Sequence, residues 1–200
     1  MKRISLMTAF LVPVGALSLA GCGVNSIPTA EEEAKAKWAD VQAAYQRRAS
    51  LIPNLVSTVK GAAASEERIL TGVTEARANA TRIQVTGEQL TDPQAMARFA
   101  EAQNRLTLSL QRLQEAYPQL QSQGNFKTLM DQLEGTENRI NIAIRDYNGA
   151  VQAYNTEIRT FPSVIGANVI YGSKPMATFQ ATTPNADVAP TVDFDTNTAG

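Results

Sequence analysis

Along most of the chain, apolar residues recur at alternating intervals of three and four, the period of a helix that buries one face. The first stripe runs Trp38, Val41, Tyr45, Ile52, Leu55 and Val59, and its one gap is filled by Arg48. Glu31, Glu32 and Glu33 open it, acidic residues being favoured where a helix begins, and Lys35 and Lys37 follow Glu31 and Glu33 at i,i+4. Pro53 lacks a backbone donor and crowds the carbonyl of Ala49, which predicts a bend in one helix that ends near Gly61 to Ala64. A shorter stripe, Ile69, Val73, Ala76, Ala80 and Ile83, stops before Gly87. Asp92 and Pro93 supply an N-cap and a first-turn proline. Behind them Met96, Phe99, Gln103, Leu106, Leu110 and Leu113 carry the rhythm to Tyr117 and Pro118. After the turn Gln123-Gly124-Asn125 comes the longest seam: Phe126, Met130, Leu133, Glu137, Ile140, Ile144, Tyr147, Val151, Tyr154, Ile158 and Phe161. At about 1.5 Å per residue this last helix would reach about 54 Å. From Ser163 to Gly200 the period is lost and Pro, Thr, Asn and Gly accumulate. The pattern predicts an all-α fold: an up-and-down four-helix bundle with long, partly kinked helices over residues 31–162, and an extended or disordered C-terminal arm over 163–200.

The N-terminus follows a different grammar. Lys2 and Arg3 precede an apolar run from Ile4 to Leu19, broken by Pro13 and Gly15 and closed by small residues, as in a secretory signal. The run is shorter than the roughly 20 apolar residues of a spanning helix. Its close, Leu19-Ala20-Gly21-Cys22, resembles the lipobox of bacterial lipoproteins, in which the cysteine is lipidated and becomes the first residue of the mature chain. Residues 1–21 are therefore expected to be a signal peptide and 22–30 a lipidated tether, with Cys22 as the lipid anchor, palmitate among its acyl chains, and membrane lipid as a partner. One acyl chain anchors a protein only marginally, whereas two or more hold it stably. Gly23, where an aspartate would retain such a protein at the inner membrane, is compatible with transfer to the periplasmic face of an outer membrane where one exists, and otherwise with the outer face of the plasma membrane.

Composition narrows the chemistry. The 200 residues include no histidine and one cysteine, which removes most metal sites, the Ser/His/Asp and Cys/His catalytic arrangements and any intrachain disulfide. Eighteen basic residues stand against 19 acidic ones, a formal charge of −1, so no bulk field draws the chain to nucleic acid. Cleavage before Cys22 would remove Lys2 and Arg3, leaving the mature chain mildly acidic. No glycine-rich phosphate loop or nucleophile motif is present, and carboxylate di-metal bundles usually add Glu-x-x-His, so the chain is expected not to be an enzyme and to carry no cofactor or metal.

Several segments resemble the LemA family of bacterial envelope proteins. They are Tyr45-Gln46-Arg47-Arg48-Ala49 with Leu51-Ile52-Pro53-Asn54-Leu55-Val56, Tyr117-Pro118, Asn125-Phe126, and Leu133-Glu134-Gly135-Thr136-Glu137-Asn138-Arg139-Ile140. Tyr147-Asn148, Tyr154-Asn155 and Phe161-Pro162 complete the set, and Pro190-Thr191-Val192-Asp193-Phe194 echoes the family's C-terminal end. The resemblance implies a helical bundle held at a membrane and supplies no catalytic residues. Typical members look like proteins with an uncleaved N-terminal membrane helix, so their topology does not carry over to a chain with a lipobox. The implied role is a helical scaffold or protein-interaction module in the cell envelope, with an unidentified envelope protein as partner. The alternative, suggested by the family alone, is an adaptor or regulatory subunit of a membrane protease or envelope-stress system.

Three features remain as candidate sites. Glu137 and Arg48 fall at core positions, where an unpaired charge is costly. Glu137 is expected to be partly buried and bonded to Arg47, Arg48 or Lys60, in a polar layer that fixes bundle register or lines a functional pocket. Setting Phe161 opposite Glu31 places Glu137 across from Leu55 and Arg48 across from Ile144. Arg98, Arg105 and Arg112 repeat every seven residues, a solvated face or a docking stripe. Tyr147, Tyr154 and the asparagines after them are expected to serve packing and inter-helix hydrogen bonds.

Overall fold

The computed structural model describes residues 25–62 and 66–180. The signal segment, Cys22 and residues 181–200 lie outside them. The described chain is all-helical, with long helices α1 (Ser26–Ala62), α2 (Glu67–Arg82), α3 (Pro93–Ala116) and α4 (Gly124–Glu157). A short α5 (Ser163–Gly166) runs into a π-helical turn, Ala167–Tyr171.

Helix α1 begins at Ser26, five residues before the expected Glu31, and takes in most of the segment read as tether. The reason is apolar: Ala34 and Ile27 continue the Trp38, Val41, Tyr45 seam backwards, one and two heptads before Val41, and are fully buried. Pro28 is tolerated because the first turn's N–H groups have no helical partner to lose. At Pro53 the helix continues unbroken. The acceptor left free there, the carbonyl of Ala49, receives the Nε–H of Arg77 from α2 at 2.7 Å. A neighbouring helix thus supplies the bond that proline cannot, and the cost of an interior proline is partly offset.

The other boundaries follow from caps. Asp92 accepts from the backbone N–H of Gln94 at 2.9 Å and Pro93 occupies the first turn of α3. At the entry to α2, the hydroxyl of buried Tyr117 accepts the N–H of Glu66 at 2.8 Å. The indole of Trp38 and the side-chain amide of Gln42 both donate to the carbonyl of Val85, at 2.8 and 2.9 Å, which ties the α2–α3 connection over α1.

Helix α1 packs most extensively on α4 and α2 on α3, with α1 and α2 joining the pairs. Helices α3 and α4 approach each other less closely, and an open groove lined by Thr107, Gln111, Met130 and Glu134 lies between them.

Helix α4 ends at Glu157, not at Phe161 as the seam predicted. Phe161 is 80% exposed and belongs to no core. Beyond it the described part of the arm, residues 163–180, is not wholly extended: residues 163–171 are helical, Gly172 turns the chain in the left-handed region (φ 57°), and residues 173–180 run back along the helices. Met176 and Phe179 are buried there. Glycine adopts such a φ readily because it has no Cβ to crowd the backbone.

Candidate functional site

The buried side chains form two apolar clusters. One is built on Trp38, Tyr45, Phe99, Ile140, Tyr147 and Phe179, the other on Ile52, Leu55, Val73, Leu106, Leu113, Phe126 and Leu133. On three helices the boundary between them is a polar residue: Arg48 between Tyr45 and Ile52, Gln103 between Phe99 and Leu106, and Glu137 between Leu133 and Ile140.

Arg48 is 3% exposed and sits at the centre. Its Nη1 donates to Glu137 Oε2 at 3.0 Å and to Thr107 Oγ1 at 3.1 Å. Its Nη2 donates to Gln103 Oε1 at 2.9 Å and to the Gln103 carbonyl at 3.3 Å. The guanidinium carbon lies 5.0 Å from the centre of the Tyr45 ring, within cation–π range. Gln103 passes the network on, its Nε2 donating to the carbonyl of Ala80 on α2 at 3.1 Å. All four long helices are tied through one cation. The Nε of Arg48 is buried without a hydrogen-bond partner among the described residues. Burial, and the Glu137 charge against the opposing pull of Arg48, push the Tyr45 phenol up to about 12.

Of the expected basic partners the structure selects Arg48; Arg47 and Lys60 are exposed and take no part. Glu137 is partly buried, its side chain 43% exposed, because it stands at the mouth of the groove between α3 and α4. The register differs as well. Arg48 faces Glu137 rather than Ile144, one heptad along, because α1 starts earlier and α4 ends earlier than the Glu31 to Phe161 alignment assumed. Gln103 was part of the α3 stripe but not singled out; an amide in an otherwise apolar heptad was its signal. Chemically, both Nη groups of this cation are turned onto protein acceptors, so the layer orders helices and shows solvent mainly one side of a carboxylate.

The repeating arginines of α3 face outward: Arg98 lies 3.9 Å from Asp92 and Arg105 pairs with Glu101, both largely exposed. Exposed pairs of this kind contribute little. Arg105 and Arg112 also border an open groove with Ile69 and Leu108.

A second constellation was placed by the sequence but misassigned. Asn148 and Asn155, one heptad apart on α4, bond the returning arm rather than another helix. Asn148 accepts the N–H of Phe179 at 2.8 Å and donates to its carbonyl at 2.7 Å. Asn155 does the same to Met176, at 2.9 Å in both directions. Tyr147 adds its hydroxyl to the carbonyl of Ala177 at 2.8 Å, and Ala177 donates to the carbonyl of Leu90. The pinned Phe179 ring then lies 5.4 Å from Trp38, 5.7 Å from Phe99 and 6.3 Å from Tyr45, edge to face. The two side-chain amides act as backbone surrogates, and the arm completes the aromatic core.

Among the described residues no group of three or more His, Cys, Asp or Glu could hold a metal ion, and no helix is long and apolar enough to cross a membrane.

These features define an all-helical protein whose paired long helices are clamped by a buried arginine layer and closed by a docked C-terminal arm. The LemA family model matches residues 37–194, most of the chain, and the protein belongs to that family. It is also similar to the magnetosome proteins MamQ 1 and MamQ 2 of Paramagnetospirillum magneticum, each 28% identical over 161 residues, or 69% of this chain. The alignment spans 58% of the length of those relatives.

Proposed function

We propose that this protein is a lipid-anchored scaffold of the bacterial envelope, a helical body that holds a binding surface at a fixed place near a membrane without performing chemistry. The observation that carries the reading is the junction at Ser26. An N-terminal segment with the charge, apolar and small-residue order of a lipoprotein signal gives way, within four residues of Cys22, to a rigid 37-residue helix. The first turn of that helix is tied by the Ser26 hydroxyl to Glu157 at the end of α4, and Glu157 also accepts from Ser163. Whatever holds Cys22 therefore holds the whole helical body within four residues of that point. Closure as an up-and-down four-helix bundle, with α3 and α4 splayed, would leave their groove as the binding surface. The membrane setting fits the family, and the relatives named for the magnetosome are compatible with it.

Replacing Cys22 with Ser tests the anchor. The wild-type chain should incorporate alkyne-palmitate and fractionate with membranes; the variant should lose the label and remain an unprocessed precursor. A processed, membrane-bound, unlabelled variant would refute lipidation. Crosslinking in living cells followed by mass spectrometry then tests the scaffold: one abundant envelope protein supports it, a membrane protease redirects the reading to an adaptor, and recovery of lipid alone refutes both.

A further inference from the structure

Five large apolar side chains crowd into the fourteen residues after α4 and face solvent: Phe161 80% exposed, Ile165 58%, Val169 78%, Ile170 62% and Tyr171 43%. Elsewhere the described residues expose only Leu108 and Ile142 to a comparable degree, singly and on separate helices. Ile165 and Val169 are four residues apart on a helical stretch whose inward face buries Ser163, Gly166 and Ala167. The stretch thus has a packed side and an apolar outer side. An apolar surface rimmed by polar groups on a soluble body marks a contact with a partner or a membrane.

The place of this knuckle selects the occupant. Ser163 and Ser26 share the Glu157 carboxylate, so the knuckle and the start of α1 lie at the same end of the molecule. Four residue steps separate Ser26 from Cys22, at most about 14 Å of extended chain. If Cys22 is anchored, the apolar knuckle is within reach of the lipid headgroups. The knuckle's own charge agrees: residues 158–180 contain Arg159 and Lys174 and no acidic residue, the carboxylates of this end being Glu157, bonded to Ser26 and Ser163, and Glu31, Glu32 and Glu33 on α1. Tyr171 has the amphipathic ring that settles at the water–hydrocarbon boundary. A second copy is a poorer fit, since a stable interface draws on about 20–30 residues a side and this tip offers five large apolar ones.

We propose that Phe161, Ile165, Val169, Ile170 and Tyr171 insert into the headgroup boundary of the bilayer and set the protein end-on to the membrane. The helices then stand away from the surface, and the opposite end, at Ala62 and Ser122, projects about 50 Å from it by the rise of α1 and α4. The knuckle is a second membrane contact beside the acyl chains. The inference rests on N-terminal anchoring, and the test separates the two.

The full chain carrying Val169→Cys or, at the opposite end, Ser122→Cys is labelled with the fluorophore NBD and reconstituted into vesicles of phosphatidylethanolamine and phosphatidylglycerol at 3:1. A nitroxide carried on the lipid acyl chain near the headgroup is the quencher. Insertion by 5–10 Å, the usual depth of an interfacial segment, should make quenching at position 169 about threefold or more that at 122. Equal quenching at the two positions with the protein floating on vesicles overturns the inference and leaves anchoring intact. A label at 169 that escapes the nitroxide yet is shielded from aqueous iodide assigns the face to a second copy and also overturns it. A chain with no added cysteine that takes the label at Cys22 and fails to float refutes the anchoring and, with it, this orientation. Ile165→Ser combined with Ile170→Ser is the second variant: it should leave helicity unchanged and lower quenching at 169 severalfold, and unchanged quenching would overturn the inference.

Discussion

Replacing Gln103 and Arg48 singly and together isolates the value of the polar layer. Gln103→Leu keeps the side chain's volume but removes the Oε1 that accepts from Arg48 at 2.9 Å and the Nε2 that donates to Ala80 at 3.1 Å. A hydrogen bond to a charged group contributes about 1.5–3 kcal/mol, and a buried carbonyl left without a donor adds to the loss, so the single variant should cost about 3 kcal/mol. Arg48→Met removes the charge and strands Gln103 Oε1, while Glu137, with 43% of its side chain exposed, can turn to water; about 1–2 kcal/mol is expected. The double variant replaces both polar partners with apolar ones, a change that is often close to neutral. It should cost about 1 kcal/mol where the two singles sum to about 4–5, a coupling of about 3–4 kcal/mol. Urea unfolding of the full chain followed by circular dichroism at 222 nm, run as a double-mutant cycle, measures it. Additivity within about 0.5 kcal/mol, the behaviour of independent sites, would refute the claim that Arg48 depends on Gln103.

Arg77→Ala should cost about 1–2 kcal/mol by orphaning the Ala49 carbonyl, and Pro53→Ala, which restores a helical donor to that carbonyl, should suppress most of the cost; equal losses in both backgrounds would refute the compensation. Asn148→Ala removes both bonds to Phe179 and should raise hydrogen exchange at residues 176–180 while leaving α2 unchanged; unaltered protection there would show that the arm is held by its side chains alone. Hydrogen bonds from Ser163 and then Ser26 hold the Glu157 carboxyl below its ordinary value of 4.5. The stability this provides is complete above that value and is lost as pH falls through the lower folded one, so Glu157→Gln should flatten the acid limb of stability against pH, and parallel acid limbs would refute it.

The helices were legible because burial of one face leaves a repeat that any neighbouring helix can satisfy. Their ends were less so, for reasons visible at single residues. Composition around Gly23 to Thr29 pointed to a tether, yet Ile27 continues the seam, and its burial outweighed the turn-forming residues beside it. At the other end Phe161 continues the seam in sequence but not in space, since α4 stops at Glu157, where the carboxylate gathers Ser26 and Ser163. The arm was harder still. Phe179 lies in a stretch rich in Thr, Pro and Ala with no period, and nothing local announces that Asn148 and Asn155 will pair with it across a turn at Gly172.

Register is where the periodic signal is weakest and the polar layer strongest. A heptad seam moved by seven residues still places apolar against apolar almost everywhere, so Trp38, Val41 and Tyr45 alone choose poorly between facing one turn pair of α4 and the next. The charged positions choose sharply. In the slipped arrangement Arg48, whose guanidinium is 3% exposed, would meet Ile144 and be a charge held among apolar groups without its counterpart. In the observed one Arg48 and Glu137 satisfy each other at 3.0 Å. A buried ion pair of this kind adds little net stability compared with an apolar contact, but it raises the cost of the neighbouring alternative by several kcal/mol. It is this difference, not the strength of the pair, that would keep the two ends of a 37-residue helix in fixed places: the start of α1 beside the apolar knuckle, and its far end, at Ala62, at the opposite end of the molecule.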